Sequence, residues 1–150
     1  METKLKILGF AGSLRVGSYN KALLRAAPEL LSDSTTLEIF LDGIPPINQD
    51  LEMDMPTKVK EFKSKIREAD AILIATPEYN YSIPGVLKNA IDFASRPYGD
   101  NPFNDKPVAI MSASVGMLGG ARAQYHLRQT FIFLNMYPMN SPEVVVICTE

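Results

Sequence analysis

Cysteine, histidine and long apolar runs are scarce in this sequence of 150 residues, and each scarcity excludes a class of protein. Cys148 is the single cysteine, so neither a disulfide framework nor a cysteine-rich metal site can form. His126 is the single histidine, and its place in a helical pattern favours a packing or interface role over acid–base catalysis. No apolar run is long enough to span a bilayer, and no stretch has the pattern of a secretory leader. We therefore expect a cytoplasmic protein without a membrane partner.

Net charge is also small. The 15 Lys and Arg residues nearly balance the 17 Asp and Glu residues, which gives a formal net charge of −2. Nucleic-acid-binding proteins usually carry a basic excess, so nucleic acid is not expected as a partner. The length fits a single domain over residues 1–150, and a domain of this size buries about 70% of its unfolded surface, enough for a core.

Apolar segments alternate with amphipathic stretches along the whole chain. The segments that predict strands are Leu5–Phe10, Thr35–Leu41, Ala71–Ala75, Val108–Met111 and Val144–Ile147. The stretches that predict helices lie around Leu23–Leu31, from about Pro56, after Pro84 and around Leu127–Leu134. The run Ala71–Ala75 lacks alternation, so we expect both of its faces to be buried, as in a parallel sheet with helices above and below. The order predicts an α/β fold with a doubly wound, five-stranded parallel sheet in three α/β/α layers.

One long irregular segment interrupts this alternation. It runs from Asp42 to Met55 and contains Pro45 and Pro46. A lid, a subunit contact and a plain surface connection all remain open for it.

The turn after the first strand, Gly12–Asn20, has the composition of a phosphate-binding loop. Backbone N–H groups at a helix N-terminus attract an anion, and hydroxyl, amide and guanidinium groups add donors. A Walker A loop would need Lys and then Ser or Thr after Gly17, where Ser18 and Tyr19 stand, and the glycine spacing does not match the dinucleotide fingerprint. The alternative is an ordinary strand-to-helix turn with Ser18 as its N-cap. The phosphate interpretation predicts a terminal monophosphate held by Ser13, Arg15, Ser18 and Asn20.

Two further loops at the same predicted edge carry unusual residues. Because ligands bind beyond the carboxyl ends of the strands in such a sheet, the loops after strands one, three and four should share one site. The loop Thr76–Gly85 holds Tyr79 and Tyr81 between prolines, which suits a flat heterocycle with polar edges; tyrosines that pack on another subunit are the alternative. The loop Ser112–Ala121 is rich in small residues that let the backbone approach a ring closely.

Three motifs in these loops make the chain similar to a known family. They are Gly-Ser-Leu-Arg-x-x-Ser-x-Asn from Gly12, Pro-Glu-Tyr-Asn-Tyr-Ser-x-Pro-Gly from Pro77 and Gly-Gly-Ala-Arg-x-Gln-Tyr-His from Gly119. Together they resemble the NAD(P)H-dependent FMN reductase family of flavodoxin-like proteins, especially its quinone and chromate reductase branch, over essentially the whole chain. The resemblance implies that FMN places its phosphate in the first loop and its ring between the other two. The implied cofactor-binding residues are Ser13, Arg15, Ser18, Tyr19, Asn20, Pro77, Glu78, Tyr79, Asn80, Tyr81, Ser114 and Gly116.

The resemblance also implies an activity. NADH or NADPH would give hydride to FMN, and a small acceptor would then be reduced in ping-pong order; the sequence does not choose between the two donors. A quinone is the expected acceptor, with azo compounds, chromate and free flavin as further ones. No catalytic side chain is expected, because the chemistry belongs to FMN N5, and Glu78 is expected to have a structural role. A flavodoxin-type electron carrier and a non-catalytic FMN-binding protein remain open, although Arg15 and the mild acidity favour the reductase.

Assembly is a further implication of the resemblance. Such proteins are dimers or dimers of dimers with the flavin near an interface, so we expect a homodimer or homotetramer, with Arg122, Tyr125 and Glu143 as candidate contacts. Members of the family usually continue past the fifth strand into a last helix, whereas this sequence stops at Glu150. The fold is therefore expected to lack that helix and to leave apolar surface on one face of the sheet.

Overall fold

Strands and helices alternate along the chain in the computed structural model, which describes residues 4–40 and 43–149. The strands are β1 (Leu5–Ala11), β2 (Thr35–Phe40), β3 (Ala71–Ala75), β4 (Pro107–Ser114), β5 (Tyr137–Pro138) and β6 (Val144–Ile147). The helices are α1 (Tyr19–Ala26), α2 (Thr57–Glu68), α3 (Gly85–Ala94) and α4 (Ala121–Leu134), with short 3₁₀ helices at Ala27–Leu30 and Gln49–Asp54. Leu41, the predicted end of the second strand, and Asp42 lie outside the described residues. Within the described ranges, no helix is long and apolar enough to cross a membrane.

The sheet is parallel throughout. Its order is β2-β1-β3-β4, and β5 and β6 share the remaining edge of β4. The chain moves from β1 to β2 in one direction and then crosses back to β3, which places the switch point between β1 and β3, where doubly wound sheets bind ligands. The predicted flavodoxin-like, doubly wound sheet with five strand positions is confirmed.

The fifth position is filled in two pieces rather than by one strand. β5 pairs with Pro107 and Val108 at the start of β4, and β6 pairs with Met111–Ser114 at its end. The residues between the two pieces, 139–143, form no strand, and they include Pro142, which has no N–H to donate to a ladder.

The larger core lies between the sheet and helices α2, α3 and α4. Phe62 of α2 stacks on Phe40 with ring centroids 4.9 Å apart and meets Phe10 edge-on at 5.1 Å. Strand residues enter this core at every second position, because successive side chains point to opposite faces of a sheet. Those of the three central strands are Leu8, Phe10, Ile72, Ile74, Val108 and Ile110.

Helix α1 covers part of the opposite face. Its Leu24 is fully buried and shares a smaller cluster with Ala75 and Met111, against which Leu73 and Val144 pack in part. The chain therefore forms three layers, as predicted, with α1 as the one α-helix on this face in the described part of the chain.

The segment between β2 and α2 is attached to α3. Asn89 accepts a hydrogen bond from the Ile47 N–H at 2.7 Å and donates one to the Pro45 carbonyl at 2.9 Å. Farther along, Glu52 pairs with Arg96 at 2.6 Å, and both side chains are mostly buried. These contacts fit a surface connection; a lid or subunit role for it stays a prediction.

Leu24 and Leu30 offer a matched test of α1 packing. Leu24 is 0% exposed, whereas Leu30 is 87% exposed. Leu24→Ala leaves a cavity, so we expect the free energy of unfolding to fall by about 2–5 kcal/mol. Leu30→Ala should stay within about 0.5 kcal/mol of wild type. Urea unfolding measures both, and equal losses in the two variants would contradict the packing of α1 on β3 and β4.

Candidate functional site

Three loops meet at the edge of the sheet where β1, β3 and β4 end. The Gly12 N–H donates to the Ala75 carbonyl at 2.8 Å, which carries the strand pairing into the first loop. The approach is close: a Cβ on Gly12 would lie 2.9 Å from the Thr76 hydroxyl oxygen, and one on Gly120 would lie 3.6 Å from the Thr76 carbonyl oxygen. The sheet thus brings together the loops that the sequence predicts to form one site.

The turn after β1 holds hydroxyl groups at the start of α1. Ser18 is the N-cap of α1, and its hydroxyl oxygen accepts the Lys21 N–H at 3.3 Å. The Ser13 hydroxyl oxygen accepts the Arg15 N–H at the same distance, 3.3 Å. Because these contacts use an oxygen lone pair, each hydroxyl keeps its proton for an anion. The capping role and the predicted phosphate role are therefore compatible at Ser18.

The same turn also contains backbone N–H donors and the charged side chain of Arg15. The N–H groups of Val16 and Gly17 donate to none of the described residues. Arg15 is exposed, and its guanidinium forms no ion pair within residues 4–40 and 43–149. The turn contains no acidic residue between positions 12 and 20. Its chemistry is therefore that of an anion site.

Asn20, the fourth predicted phosphate donor, binds the fourth strand. Its side chain is 3% exposed; it donates to the Ala113 carbonyl and accepts the Ala113 N–H, both at 2.9 Å. The pair joins the start of α1 to the end of β4. Asn20 thereby positions the turn, and because one hydrogen on its Nδ2 is still available, its role as a phosphate donor stays a prediction. Neighbouring Tyr19 is 38% exposed at the same helix end.

The loop after β3 closes in a tight turn, the tyrosine turn, Tyr79–Ser82. Tyr79 and Ser82 exchange two backbone hydrogen bonds, of 3.1 and 3.0 Å. Between them, Asn80 and Tyr81 have φ values of 50° and 66°, as in a type I′ turn. Tyr79 and Tyr81 are 52% and 65% exposed, so both rings are available at the sheet edge. Pro77, just before this turn, is half-buried.

Glu78 binds the N-terminus of α4. One carboxylate oxygen accepts the N–H groups of Arg122 and Ala123 at 3.0 and 3.3 Å, and the other accepts the Arg122 guanidinium at 2.8 Å. Gly120, the N-cap of α4, makes no side-chain cap, so Glu78 provides the cap from another loop. Burial raises the pKa of Glu78, but the hydrogen bonds from Arg122 and the two backbone groups outweigh it and hold the pKa below its ordinary value. Glu78 is thus an ionised structural group.

The loop after β4 forms a cleft with the tyrosine turn. The Ser114 hydroxyl accepts the Gly116 N–H at 3.0 Å. Gly119 and Gly120 have φ values of 54° and 94°, and a Cβ on Gly119 would collide with Val145. The cleft has a volume of about 390 Å³ and is lined by Glu78, Asn80, Tyr81, Ser114, Gly116, Met117, Leu118, Gly119, Gly120 and Arg122.

Two larger cavities are also present in the described part of the chain. The phenylalanine cavity, of about 620 Å³, is lined by Phe10, Phe40 and Phe62 among others. The α3–α4 cavity, of about 560 Å³, is lined by residues that include Tyr98 and Phe133. The volumes of the cavities therefore favour a different site from the one that the chemistry of the lining residues favours. We place the candidate ring site at the smaller cleft because Asn80 and Tyr81 of the tyrosine turn line it, whereas neither larger cavity is lined by that turn; Leu14 of the first turn lines the phenylalanine cavity.

Arg122, Tyr125 and Glu143, the predicted subunit contacts, all interact within the chain. The Tyr125 hydroxyl donates to Glu143 at 3.2 Å. Arg122 lines the cleft, pairs with Glu78, and lies over the Tyr81 ring with 3.7 Å from the guanidinium carbon to the centroid. Sequence reasoning thus missed Arg122 as a residue of the site. Its position in the sequence could have indicated this role, because Arg122 lies in the first turn of the helix that follows the fourth loop, at the same edge of the sheet.

A family comparison agrees with this geometry. The protein-family model of the NADPH-dependent FMN reductases matches residues 5–149, which include all three loops. This chain belongs to that family. The family predicted from the three motifs is confirmed.

Relatives of this FMN reductase family member are similar along nearly its whole length. The NAD(P)H-dependent FMN reductase of Pseudomonas aeruginosa is 53% identical over 148 residues, which are 97% of this chain and 80% of the relative. The quinone reductase of Escherichia coli K12 is 44% identical over 147 residues, 95% of this chain and 78% of the relative. The solved structure of FerB, a flavoenzyme NAD(P)H:(acceptor) oxidoreductase from Paracoccus denitrificans, matches with a TM-score of 0.88 at 38% identity, covering 97% of this chain and 80% of FerB.

The low pKa of Glu78 makes stability depend on pH in acid. Because the folded pKa lies below the ordinary value of 4.5, ionised Glu78 stabilises the fold fully above that value. The contribution is lost as pH falls through the lower folded pKa. We expect Glu78→Gln to reduce the free energy of unfolding by about 1–3 kcal/mol at neutral pH, and the difference from wild type to shrink in acid.

Urea unfolding at neutral and acid pH measures this difference. Glu29→Gln, at an exposed position in the first 3₁₀ helix, is the matched control. A Glu78→Gln difference that stays the same across the acid range would contradict the ionised cap.

Proposed function

We propose that this protein is an FMN-dependent oxidoreductase that takes hydride from NADH or NADPH and reduces small acceptors, with quinones as the main class. One observation carries the proposal: a donor-rich turn suited to a terminal phosphate and a cleft suited to a ring lie at the same sheet edge. Membership of the FMN reductase family and the similarity to a quinone reductase support it. Azo compounds, chromate and free flavin are further candidate acceptors.

The first turn fits the phosphate of FMN. Ser13 and Ser18 each keep a hydroxyl proton to donate, and the N–H groups of Val16 and Gly17 donate to no described residue. Arg15 adds a guanidinium that no carboxylate in the described chain neutralises. Such charge-assisted bonds, together with the positive end of the α1 dipole, favour a phosphate dianion.

The cleft fits the flavin ring. Tyr81 offers ring surface and a hydroxyl group at one wall, Asn80 adds an amide, and the exposed Tyr79 lies in the same turn. At the other wall, the Ser114–Gly120 loop has glycines that let the backbone approach closely. A volume of about 390 Å³ lies within the usual range of small-molecule sites, about 300–1,000 Å³.

FMN bound here supplies the redox chemistry by accepting hydride at N5 and passing electrons to the acceptor. The residues of this chain bind and orient it. Ser13, Arg15 and Ser18 hold the phosphate end, while the tyrosine turn and the Ser114–Gly120 loop border the ring. Glu78 moves no proton, because its two oxygens already accept hydrogen bonds and its pKa is low. No nucleophile or general base is needed.

A reductase explains the site better than an electron carrier or a non-catalytic FMN-binding protein. A carrier meets its protein partners through a strongly charged surface, whereas this chain has a formal net charge of only −2. An open cleft beside two exposed tyrosine rings instead suits small flat substrates.

We also infer a homo-oligomer, either a dimer or a dimer of dimers, in the cytoplasm, where NAD(P)H is supplied. Tyr98, Ile132 and Phe133 are 77%, 81% and 79% exposed, and Tyr98 and Phe133 also line the α3–α4 cavity. A second copy of the chain that covered this apolar surface would remove it from water. Nucleic acid and membrane are not partners in this proposal.

Arg15 and Arg25 form a matched pair for testing the phosphate turn. Both are exposed, but Arg15 lies in the turn and Arg25 in the last turn of α1. A charged hydrogen bond contributes about 1.5–3 kcal/mol, so Arg15→Ala should weaken FMN binding roughly tenfold to hundredfold. Riboflavin, which lacks the phosphate, should bind as it does to wild type. Flavin fluorescence titration gives both Kd values.

Arg25→Ala is expected to change neither Kd. Equal affinity of the wild-type protein for FMN and riboflavin would contradict the proposal that the first turn binds the phosphate of FMN. An Arg25→Ala loss as large as that of Arg15→Ala would assign the effect to overall charge rather than to the turn.

The single cleft predicts the kinetic order. Flat nicotinamide and flat quinone both need the open face between the tyrosine turn and the Ser114–Gly120 loop, so they cannot bind together. Double-reciprocal plots at several quinone concentrations should give parallel lines, and NAD(P)H alone should bleach the bound flavin without oxygen. Intersecting lines with a trapped ternary complex would contradict the shared face, and a flavin that NAD(P)H cannot bleach would favour the electron carrier.

A further inference from the structure

Helix α4 holds the tyrosine turn at both ends. Glu78, just before the turn, binds Arg122, and Ser82, its last residue, lies 2.8 Å from His126, Oγ to Nδ1. Arg122 and His126 are one helical turn apart, so they lie on the same face of α4. We propose that these two contacts form a clamp and that Arg122 is a positioning residue for the ring-binding part of the site. This inference rests on the FMN site proposed above.

Arg122 makes three contacts that act on this one turn. Its guanidinium donates to Glu78 Oε1 at 2.8 Å, its backbone N–H donates to Glu78 Oε2 at 3.0 Å, and its guanidinium carbon lies 3.7 Å from the Tyr81 ring centroid. A planar guanidinium pairs with a carboxylate and stacks on a ring at the same time, which a lysine ammonium does not do. Because Tyr81 is 65% exposed, the stack on Arg122 sets the orientation of its ring.

The backbone of the turn needs such support. Asn80 and Tyr81 have φ values of 50° and 66°, in the left-handed region that residues other than glycine disfavour, tyrosine more than asparagine. Within the described chain, the turn itself is closed by the two backbone hydrogen bonds between Tyr79 and Ser82. A turn that leaves this conformation part of the time binds its ligand more weakly, in proportion to the lost population. The clamp keeps the binding conformation populated.

The two arginines of the site therefore act on different parts of the ligand. Arg122 is paired with Glu78 and lies over the Tyr81 ring, so the clamp predicts that its effect on a ligand comes through the position of Tyr81. Arg15 has no acidic partner among the described residues and lies in the phosphate turn. Loss of Arg122 should weaken ring binding, and loss of Arg15 should weaken phosphate binding.

Titrations with FMN and riboflavin separate these effects. Arg122→Ala should weaken both ligands by the same factor, about tenfold, and leave their Kd ratio at the wild-type value. Arg122→Lys keeps a charge for Glu78 without the stack, so it should recover only part of the loss. In a Tyr81→Leu background, Arg122→Ala should have a smaller effect, because Arg122 acts through Tyr81. Gln129→Ala, at an exposed position of α4, is the control.

Hydrogen exchange in the flavin-free protein tests the clamp without any ligand. The N–H groups of Tyr79 and Ser82 close the turn, so their exchange rates report its opening. We expect both rates to rise several-fold in Arg122→Ala and in His126→Ala, and to stay unchanged in Gln129→Ala.

Faster exchange together with equal losses for FMN and riboflavin would support the clamp. Unchanged exchange and unchanged riboflavin affinity in Arg122→Ala would overturn it. A changed FMN-to-riboflavin ratio in that variant, or full recovery in Arg122→Lys, would overturn the role of the stack. If the wild-type protein binds neither flavin, the proposed function fails, while the exchange rates still decide whether α4 clamps the turn.

Discussion

Parallel strand pairing is the constraint on which the site depends. Because β1, β3 and β4 run in the same direction, their carboxyl ends lie at one edge, and the loops that follow them meet there. Two close approaches show how tightly the loops meet: Gly12 lies against the Thr76 hydroxyl, and Gly120 lies against the Thr76 carbonyl and against Ser112 of its own loop, with no room for a side chain at either glycine. The groups that would bind FMN thus start from rigid strand ends rather than from long free loops.

The candidate site offers two kinds of interaction to a ligand. The first turn offers hydroxyl, amide N–H and guanidinium donors to a charged group, and it is joined to β4 through the buried pair between Asn20 and Ala113. The cleft between the tyrosine turn and the glycine-rich loop offers surface to a flat ring. The carboxylate of Glu78 has a structural role, because it caps the N-terminus of α4. The redox chemistry belongs to the cofactor.

Periodicity and residue types predict the strands, the helices and the sheet-edge site, because these depend on local patterns. Val144–Ile147 is predicted from its β-branched run, whereas Tyr137–Pro138 carries no pattern, since two residues with a proline give none. Asn20 shows a second limit: an amide at a helix start suits a phosphate and a strand backbone equally, and its contact with Ala113 is seen only in the three-dimensional structure. The link from Arg122 to Tyr81 joins two loops distant in sequence, and no spacing rule predicts it.

The proposed FMN site is tested most directly by comparing backbone hydrogen exchange with and without saturating FMN. Binding of FMN in the proposed site should slow exchange in three separate segments at once: the turn at residues 13–20, the tyrosine turn at 79–82 and the loop at 114–120. Helices α2 and α3, beside the phenylalanine cavity and the α3–α4 cavity, should change little. Protection confined to one of those larger cavities, with the three loops unchanged, would contradict the site and the function drawn from it.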